Sequence, residues 1–326
     1  MWISGVVFPP LIQYHIFMDA NTAKPTVAVI GPGALGTLFA ARFALARIPT
    51  LLFDHRAERA QLLNKSGLVL RRGEVERHVK VPVTADPALL KDVEFVLLLV
   101  KSYQTEDAAT TLAEYLPEQA AVLTLQNGLG NVEILQAHLG PERVWGGTTA
   151  QGAMLEEPGV VTDMGDGPTV IGRLTDMLDG RTQLLAQLLL AAGFATAITD
   201  ELHTTLWSKV ILNAAINPVG ALTRLRNGEL ASNEDTLKMM TAAAREAANI
   251  TLKHGIKLPE TDWRARLLTV CQATASNRNS MLQDVLNNRR TEIDAINGAI
   301  VRIADQHKMP APINRSLWYL IKGLTG

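Results

Sequence analysis

The chain has 326 residues, a length that accommodates two domains of ordinary size. Hydrophobic residues make up 47% of the chain and charged residues 19%, and the formal net charge is −1, so the composition indicates a globular protein and no nucleic-acid partner. The single cysteine, Cys271, excludes an internal disulfide and a cysteine-based metal site. It is expected to be a small buried apolar residue of a cytoplasmic protein that holds no metal.

The N-terminal segment differs in character from the rest of the chain. Residues 1–20 are apolar and aromatic, two prolines interrupt them, and no basic residue precedes the apolar run, so a signal peptide is not predicted. The first strand signal begins only at Val27, which favours Met18 over Met1 as the start of the protein. Later apolar runs are too short to cross a bilayer as helices, and no membrane partner is expected.

Strand and helix signals alternate through residues 21–198, the predicted dinucleotide-binding domain. Strands are predicted at 27–30, 50–53, 69–72, 74–83, 95–100, 121–126, 144–150 and 160–170. Helices are predicted at 34–47, 57–65 and 107–116. This alternation is typical of a doubly wound, mostly parallel sheet of the Rossmann type.

The pattern changes near residue 199, and long helical periods dominate from there to the end of the chain. Helices are predicted at 202–216, 234–254, 262–276 and 292–307. The fold expected is therefore α/β, with the Rossmann-type sheet followed by an all-α domain over 199–326. We expect this helical domain to carry the substrate and catalytic groups, in a cleft beside the dinucleotide-binding domain.

A glycine-rich motif joins the first predicted strand to the first predicted helix. The motif is Gly31-Pro32-Gly33-Ala34-Leu35-Gly36. Gly31 permits a tight turn, Gly33 lets a pyrophosphate approach the backbone, and Gly36 lets the helix pack closely on the strand. The N–H groups at the start of the helix would receive the phosphates. The motif predicts a dinucleotide cofactor, and an ordinary strand-to-helix turn is the alternative interpretation.

The end of the second strand bears on which dinucleotide is bound. Asp54 stands there, and an acid at this position accepts hydrogen bonds from the ribose hydroxyls and repels a 2′-phosphate, which favours NAD(H). His55 and Arg56 follow at once, Arg59 lies one helical turn beyond Arg56, and a guanidinium there could pair with a 2′-phosphate. The two arginines could equally be a solvated helix start. These residues alone leave NADPH and NADH both open.

Two polar constellations mark the predicted helical domain. Lys209, Asn213 and Asn217 are spaced four residues apart, so they share one face of a helix whose other residues are strongly apolar. Such groups need partners, which a bound polar ligand or an internal network would supply. Short polar side chains at 276–284 suit a carboxylate ligand. Glu292, after a helix cap at Thr291, is on its own residues only an acid of a first helical turn.

Six motifs together resemble the ketopantoate reductase (2-dehydropantoate 2-reductase) family. They occur in the order and at the spacings of that family, and the resemblance runs from about Val27 to Leu320. The motifs are Gly31–Gly36, Gln126–Gly130, the helix from Lys209 to Pro218, Asn227–Leu230, Asn277–Asp284 and Thr291–Gly298. The resemblance implies hydride transfer, usually from NADPH, to the keto group of 2-dehydropantoate. The product would be (R)-pantoate, on the route to pantothenate and coenzyme A.

The resemblance also implies roles for individual residues. Lys209 matches the catalytic lysine that donates a proton to the carbonyl oxygen, and Glu292 matches the acid that organises this lysine and the nicotinamide ribose. Asn127 matches an asparagine near both nicotinamide and substrate. The other implied substrate residues are Asn213, Asn217, Asn227, Asn277 and Ser280. The other implied cofactor residues, beside the glycine motif and Arg56, are Lys101 and Ala153.

One departure from the family pattern concerns the cofactor. Asp54 stands where the family often has a basic residue, so NADH stays an alternative, although Arg56 and Lys101 lead us to expect NADP(H). Two other functions stay open: reduction of a different branched 2-keto acid, and a non-enzymatic regulator that senses NADP(H). The presence of Lys209 and Glu292 weighs against the regulator, since a sensor needs no proton donor. The helical domain could also supply a homodimer interface.

Overall fold

The computed structural model describes residues 26–175 and 180–325. The predicted leader at residues 1–20, with its alternative start at Met18, lies outside the described residues. Within the described ranges, no helix combines the length and the hydropathy that a bilayer crossing requires.

The described chain divides into two compact units. The sheet unit contains the described residues up to Gln126 together with Asn131–Leu202. The helical unit contains Asn127–Gly130 and the described residues from His203 onward. A short loop therefore groups with residues that lie far from it in sequence. The domain ranges 21–198 and 199–326 stay predictions.

In the described part of the chain, the sheet unit contains twelve strands in two sheets. The strands are β1 (Val27–Ile30), β2 (Thr50–Phe53), β3 (Leu68–Arg72), β4 (Val75–Val79), β5 (Val83–Thr84), β6 (Phe95–Leu98), β7 (Ala121–Thr124), β8 (Val144–Thr149), β9 (Gly152–Glu157), β10 (Val160–Gly165), β11 (Thr169–Gly172) and β12 (Thr196–Thr199). The larger sheet has the order β12-β11-β8-β7-β6-β1-β2-β5. Its neighbouring strands are parallel except β8 and β11, which run antiparallel. The predicted doubly wound, mostly parallel sheet is confirmed.

The central strands of the larger sheet are buried on both faces. Every residue of β1, β6 and β7 is buried, which explains why these strands are continuous apolar runs rather than alternating ones. The helices of this unit are α1 (Ala34–Leu45), α2 (Ala57–Ser66), α3 (Thr105–Tyr115), α4 (Asn131–Leu139) and α5 (Gly180–Ala191). The sequence patterns missed α4 and α5.

The sequence predicts a hairpin of 69–72 and 74–83 around Gly73, and the antiparallel pair β3–β4 is that hairpin, but the separate second sheet to which it belongs was not predicted. Its order is β4-β3-β10-β9, with β3 and β10 parallel and the outer pairs antiparallel. The single strand predicted at 160–170 is wrong, because β10 ends at Gly165 in this sheet and β11 begins in the larger one. Pro168 lies between them, and a proline cannot donate to a strand ladder. The run at 74–83 divides between β4 and β5 in the same way, with Pro82 before β5.

The helical unit contains seven helices among its described residues. They are α6 (Leu202–Thr223, of which the first residue groups with the sheet unit), α7 (Asn227–Ser232), α8 (Glu234–Lys253), α9 (Trp263–Ala273), α10 (Ser280–Leu286), α11 (Asn297–Gln306) and α12 (Pro312–Thr325). The predicted all-α character of this region is confirmed. Cys271 is fully buried in the core of this unit, and burial raises the pKa of its thiol to about 11.

Two of the predicted helices have different bounds in the structure. The helix predicted at 202–216 continues as α6 through Pro218 to Thr223. The helix predicted at 292–307 begins only at Asn297, so the interpretation of Glu292 as an acid of a first helical turn is wrong. Residues 292–296 form a turn, because the carbonyl of Ala295 accepts the N–H of Leu129 at 2.9 Å instead of a helical N–H.

A buried ion pair fastens the second sheet to α1. The guanidinium of Arg42 on α1 donates to the carboxylate of Asp163 on β10, and both side chains are buried. Arg42 also donates to Asp166 at 3.0 Å and lies 4.7 Å from the ring centre of Phe194. Arg72 reaches the same two aspartates from β3, but its side chain is 54% exposed. Since charge pairs in water contribute little, Arg42 is the residue that compensates the buried carboxylate.

We predict that Arg42→Met destabilises the protein much more than Arg72→Met. Loss of Arg42 leaves Asp163 buried without its main counter-charge, which costs about 3–5 kcal/mol, whereas loss of exposed Arg72 costs at most about 1 kcal/mol. Urea denaturation measures the free energy of unfolding of both variants. Equal losses of unfolding free energy in the two variants would contradict the larger contribution of the buried ion pair.

Candidate active site

The glycine motif has the geometry that a pyrophosphate needs. Gly31 has φ +101°, and a side chain there would meet the backbone nitrogen of Val100 at 2.9 Å. A side chain at Gly36 would overlap the carbonyl oxygen of Gly31, so only glycine lets α1 approach the turn. At Gly33, by contrast, an added Cβ would meet no described atom within 4 Å. The backbone at Gly33 is therefore open to a group that the protein does not itself provide.

The start of α1 is chemically suited to an anion. Gly33 occupies the position before the helix, no side chain caps the helix, and its first turn contains no acid. The first N–H groups of a helix have no partner within the helix and carry partial positive charge. The hydroxyl of Thr37, also on α1, is buried without a hydrogen-bond partner among the described residues. These residues fit the pyrophosphate of a dinucleotide.

The acid at the end of β2 is already paired. Asp54 is 1% exposed, and its carboxylate accepts from Nε and Nη2 of Arg59, the latter at 2.8 Å, and from the backbone N–H of Arg56 at 3.1 Å. Arg59 is therefore committed to Asp54, whereas the side chain of Arg56 is exposed. Because Arg59 offsets its charge, Asp54 repels a 2′-phosphate less than the sequence pattern suggests.

The other two implied cofactor residues lie on different sheets. Lys101 directly precedes a short 3-10 helix after β6 of the larger sheet and is half-buried. Ala153 lies on β9 of the second sheet, opposite Asp163 of β10, and is also half-buried. The loop that carries Lys101 is braced by Gln126, whose Nε2 donates to the carbonyl of Val100 at 2.8 Å and to Thr105 Oγ1 at 2.9 Å.

Lys209 and Glu292 form the electrostatic centre of the helical unit. Lys209 lies on α6, and burial lowers the pKa of its ammonium from 10.5 to about 8, while the nearby carboxylate of Glu292 acts in the opposite direction. Glu292 is 7% exposed, and Asn127 Nδ2 lies 3.3 Å from its Oε2. The structure thus brings together three residues that are widely separated in sequence.

The turn that carries Glu292 is fixed by contacts that the sequence did not reveal. Trp318 Nε1 donates to Asp294 Oδ1 at 2.8 Å, which ties the turn to α12. Gly128 has φ +92°, and a Cβ there would lie 2.7 Å from the carbonyl oxygen of Ala295. The loop of Asn127 and the turn of Glu292 therefore pack backbone to backbone. Asn127 and Glu292 are 165 residues apart in sequence, and a contact at that separation leaves no signal in sequence periodicity.

The asparagines of α6 lie on the face predicted for them. Asn213 follows Lys209 by one helical turn and is half-buried, and Asn217 follows by two turns and is buried. A bound polar ligand or an internal network could supply the partners of these two amides, and the ligand is the alternative that the family resemblance favours.

The remaining implied substrate residues fall into two environments. The backbone N–H of Asn227 donates to the carbonyl of Asn277 at 3.0 Å, which places the two chain segments side by side. Asn227 Oδ1 is buried without a partner in the described chain. Ser280 is exposed at the start of α10, directly after Asn279, which belongs to the predicted polar cluster at 276–284 but was not assigned to the substrate. Asn279 Nδ2 is likewise buried without a described partner.

Comparison with known proteins gives a consistent result. The sequence profile of "Ketopantoate reductase PanE/ApbA" matches residues 27–176, and that of "Ketopantoate reductase PanE/ApbA C terminal" matches residues 201–325. The 2-dehydropantoate 2-reductases of Archaeoglobus fulgidus and Halobacterium salinarum are each 34% identical to this chain, and the matches cover 91% of it and 97% of each relative.

Solved structures extend the comparison to two proteins with different names. A PanE/ApbA family ketopantoate reductase from Ralstonia eutropha superposes with a TM-score of 0.84 at 31% identity, covering 92% of this chain and 98% of the other. D-mandelate dehydrogenase, solved in a ternary structure with NADH and anilino(oxo)acetate, superposes with a TM-score of 0.85 at 26% identity and the same coverages.

We predict that Gly33→Ala and Gly36→Ala fail in different ways. Gly33→Ala adds a methyl group to open space at an ordinary backbone conformation, so the melting temperature is kept while dinucleotide binding weakens. Gly36→Ala forces α1 away from the Gly31 carbonyl, so stability falls as well. Thermal unfolding and nucleotide fluorescence titration measure both effects. Undiminished nucleotide binding by Gly33→Ala would contradict the assignment of the phosphate site.

Proposed function

Because the chain belongs to the ketopantoate reductase PanE/ApbA family, we propose that it reduces 2-dehydropantoate to (R)-pantoate with a nicotinamide nucleotide. This reaction serves the synthesis of pantothenate and coenzyme A. The observation that carries the proposal is the ammonium of Lys209, whose pKa burial lowers to about 8 beside Glu292. An acid whose pKa lies close to the working pH can donate its proton and be reprotonated readily.

The reaction needs a proton donor at the ketone oxygen. When bound, the nicotinamide nucleotide supplies the hydride for the keto carbon. As the hydride adds, negative charge develops on the oxygen, and the ammonium of Lys209 stabilises that charge and then transfers a proton from Nζ. Glu292 opposes the effect of burial and so keeps Lys209 protonated before the transfer. Asn127, hydrogen-bonded to Glu292, keeps that carboxylate in place.

Neutral polar side chains are suited to orienting the substrate. The amides of Asn213, Asn217 and Asn227 can contact the substrate oxygens without adding a charge that competes with Lys209. The amide of Asn277 and the hydroxyl of Ser280 are the groups that we assign to the substrate carboxylate. Asn227 Oδ1, which is buried without a partner among the described residues, would gain a hydrogen bond from a hydroxyl of the substrate, which favours binding of a polar molecule.

We assign NADP(H) as the cofactor. The guanidinium of Arg56 is exposed, and the family resemblance assigns both Arg56 and Lys101 to the cofactor, where their charges suit a 2′-phosphate; Arg59 partly offsets the charge of Asp54. The glycine motif from Gly31 to Gly36 binds the pyrophosphate, and Ala153 and Glu292 complete the cofactor contacts. We also propose a cytoplasmic enzyme, as its single cysteine suggests, and a homodimer formed through the helical unit.

A second candidate function is reduction of a different 2-keto acid. The likeness to D-mandelate dehydrogenase favours it, because that protein was solved with NADH and anilino(oxo)acetate. Asp54 would suit NADH in that case. A regulator that only senses the nucleotide is disfavoured by a lysine whose pKa is lowered toward neutrality, since sensing requires no proton transfer.

The test compares keto acids and cofactors in one assay of nucleotide oxidation. With NADPH, we expect turnover of 2-dehydropantoate to exceed that of 2-oxoisovalerate and pyruvate, and NADPH to be preferred to NADH. Lys209→Ala should lower kcat by at least about 100-fold, because the proton donor is lost, while nucleotide binding persists. Lys253→Ala, which removes an exposed lysine from α8, is the matched control. Preferred turnover of another keto acid would overturn the substrate assignment, and normal activity of Lys209→Ala would overturn the mechanism.

A further inference from the structure

Helix α6 contains a proline where its hydrogen-bond ladder should be continuous. Pro218 has no N–H, so it cannot bond to the carbonyl of Ala214, four residues earlier in the same helix. A side chain from another helix fills this gap. Asn297, at the start of α11, donates from Nδ2 to the carbonyl oxygen of Ala214 at 3.0 Å. The amide of Asn297 thus replaces the backbone donor that the proline removes.

Asn297 is itself held by a chain of buried polar groups. Its Nδ2 also donates to Asn314 Oδ1 at 3.0 Å, and Asn314 Nδ2 donates to Glu246 Oε1 at 2.8 Å. Glu246, on α8, further accepts the backbone N–H groups of Ile313 and Asn314 at 3.0 and 2.8 Å. The chain of bonds therefore runs from α8 through α12 and α11 to α6, and its last acceptor is Ala214.

Stability alone does not explain an asparagine at this position. Asn297 is fully buried, and its Oδ1 has no hydrogen-bond partner within the described ranges, which costs free energy. A leucine of similar size would fill the space without burying that unpaired oxygen. Leucine lacks the amide donor that serves both the carbonyl of Ala214 and Asn314 Oδ1. Of these two bonds, only the one to Ala214 reaches the helix that carries the functional residues.

The bond lies between the functional residues of α6. Ala214 directly follows Asn213, Pro218 directly follows Asn217, and Lys209 lies one turn before Asn213. Prolines inside helices commonly cause a kink, because the freed carbonyl and the proline ring separate. A larger kink between 214 and 218 would move Asn217 relative to Lys209. The distance between the proton donor and this asparagine thus depends on Asn297.

We propose that Asn297 is a positioning residue, which fixes the course of α6 through Pro218 so that Lys209, Asn213 and Asn217 contact one substrate molecule. The inference rests on the proposed function, since it assigns these three residues to one reaction. It predicts a defect in handling the keto acid without a defect in nucleotide binding. A misplacement of about 1 Å between reacting groups can lower a rate about 100-fold.

The test asks whether a backbone donor can replace the side chain. Asn297→Leu removes the donor but keeps the volume, and Pro218→Ala restores a backbone N–H for the carbonyl of Ala214. We expect Asn297→Leu to lower kcat/KM for 2-dehydropantoate by about 10- to 100-fold, with an unchanged KM for the nucleotide. The double variant should recover most of the loss. Asn297→Ala repeats the comparison, and Asn287→Ala, at an exposed asparagine, is the matched control.

The outcomes separate the inference from the function on which it rests. Asn314 Oδ1 loses its donor in both Asn297→Leu and the double variant, so that loss cancels in the comparison. Recovery by Pro218→Ala supports the role of the single bond to Ala214. If the losses of kcat/KM from Asn297→Leu and from Pro218→Ala add in the double variant, the inference is overturned while the proposed function stays intact. Full activity of Asn297→Leu would have the same meaning. Failure of the wild-type enzyme to reduce 2-dehydropantoate would overturn the proposed function and the inference with it.

Discussion

The partial burial of one lysine beside one carboxylate is the constraint on which the proposed catalytic centre depends. Loss of hydration lowers the pKa of the Lys209 ammonium, and the nearby carboxylate of Glu292 opposes that effect, so that the pKa lies at about 8. That anion, Glu292, must in turn be held, and Asn127 and the turn around Ala295 hold it. The polar contacts around Lys209 therefore preserve a proton on a group that its surroundings would otherwise discharge.

The two units form their proposed binding sites from different parts of the chain, one from backbone groups and the other from side chains. In the sheet unit the proposed phosphate site consists mainly of backbone, with Gly31, Gly33 and Gly36 giving close approach and a helix start giving partial charge. In the helical unit the site consists of side chains on a buried helix, whose positions depend on packing and on buried hydrogen bonds such as that of Asn297. The family resemblance inferred from the motifs is confirmed by profiles that match both regions.

Sequence reasoning succeeded where the determining interactions are local. The glycine motif and the shared face of Lys209, Asn213 and Asn217 follow from short-range spacing, and the structure has the expected turn and helix. It failed where distant segments decide the outcome. The second sheet depends on pairing between β3 and β10, and the late start of α11 depends on Leu129 bonding to Ala295. The individual site assignments stay proposals, which the burial and the pairing of these residues support.

The pH dependence of kcat/KM for 2-dehydropantoate, compared between the wild-type enzyme and Glu292→Gln, tests the central claim most directly. Lys209 donates its proton only in the ammonium form, so the rate should be sustained at lower pH and should fall as pH rises through about 8. Glu292 raises the pKa of Lys209, so the near-isosteric Glu292→Gln should move this fall to lower pH. A fall near the ordinary lysine pKa of 10.5 in both proteins, or one that Glu292→Gln leaves in place, would contradict the account.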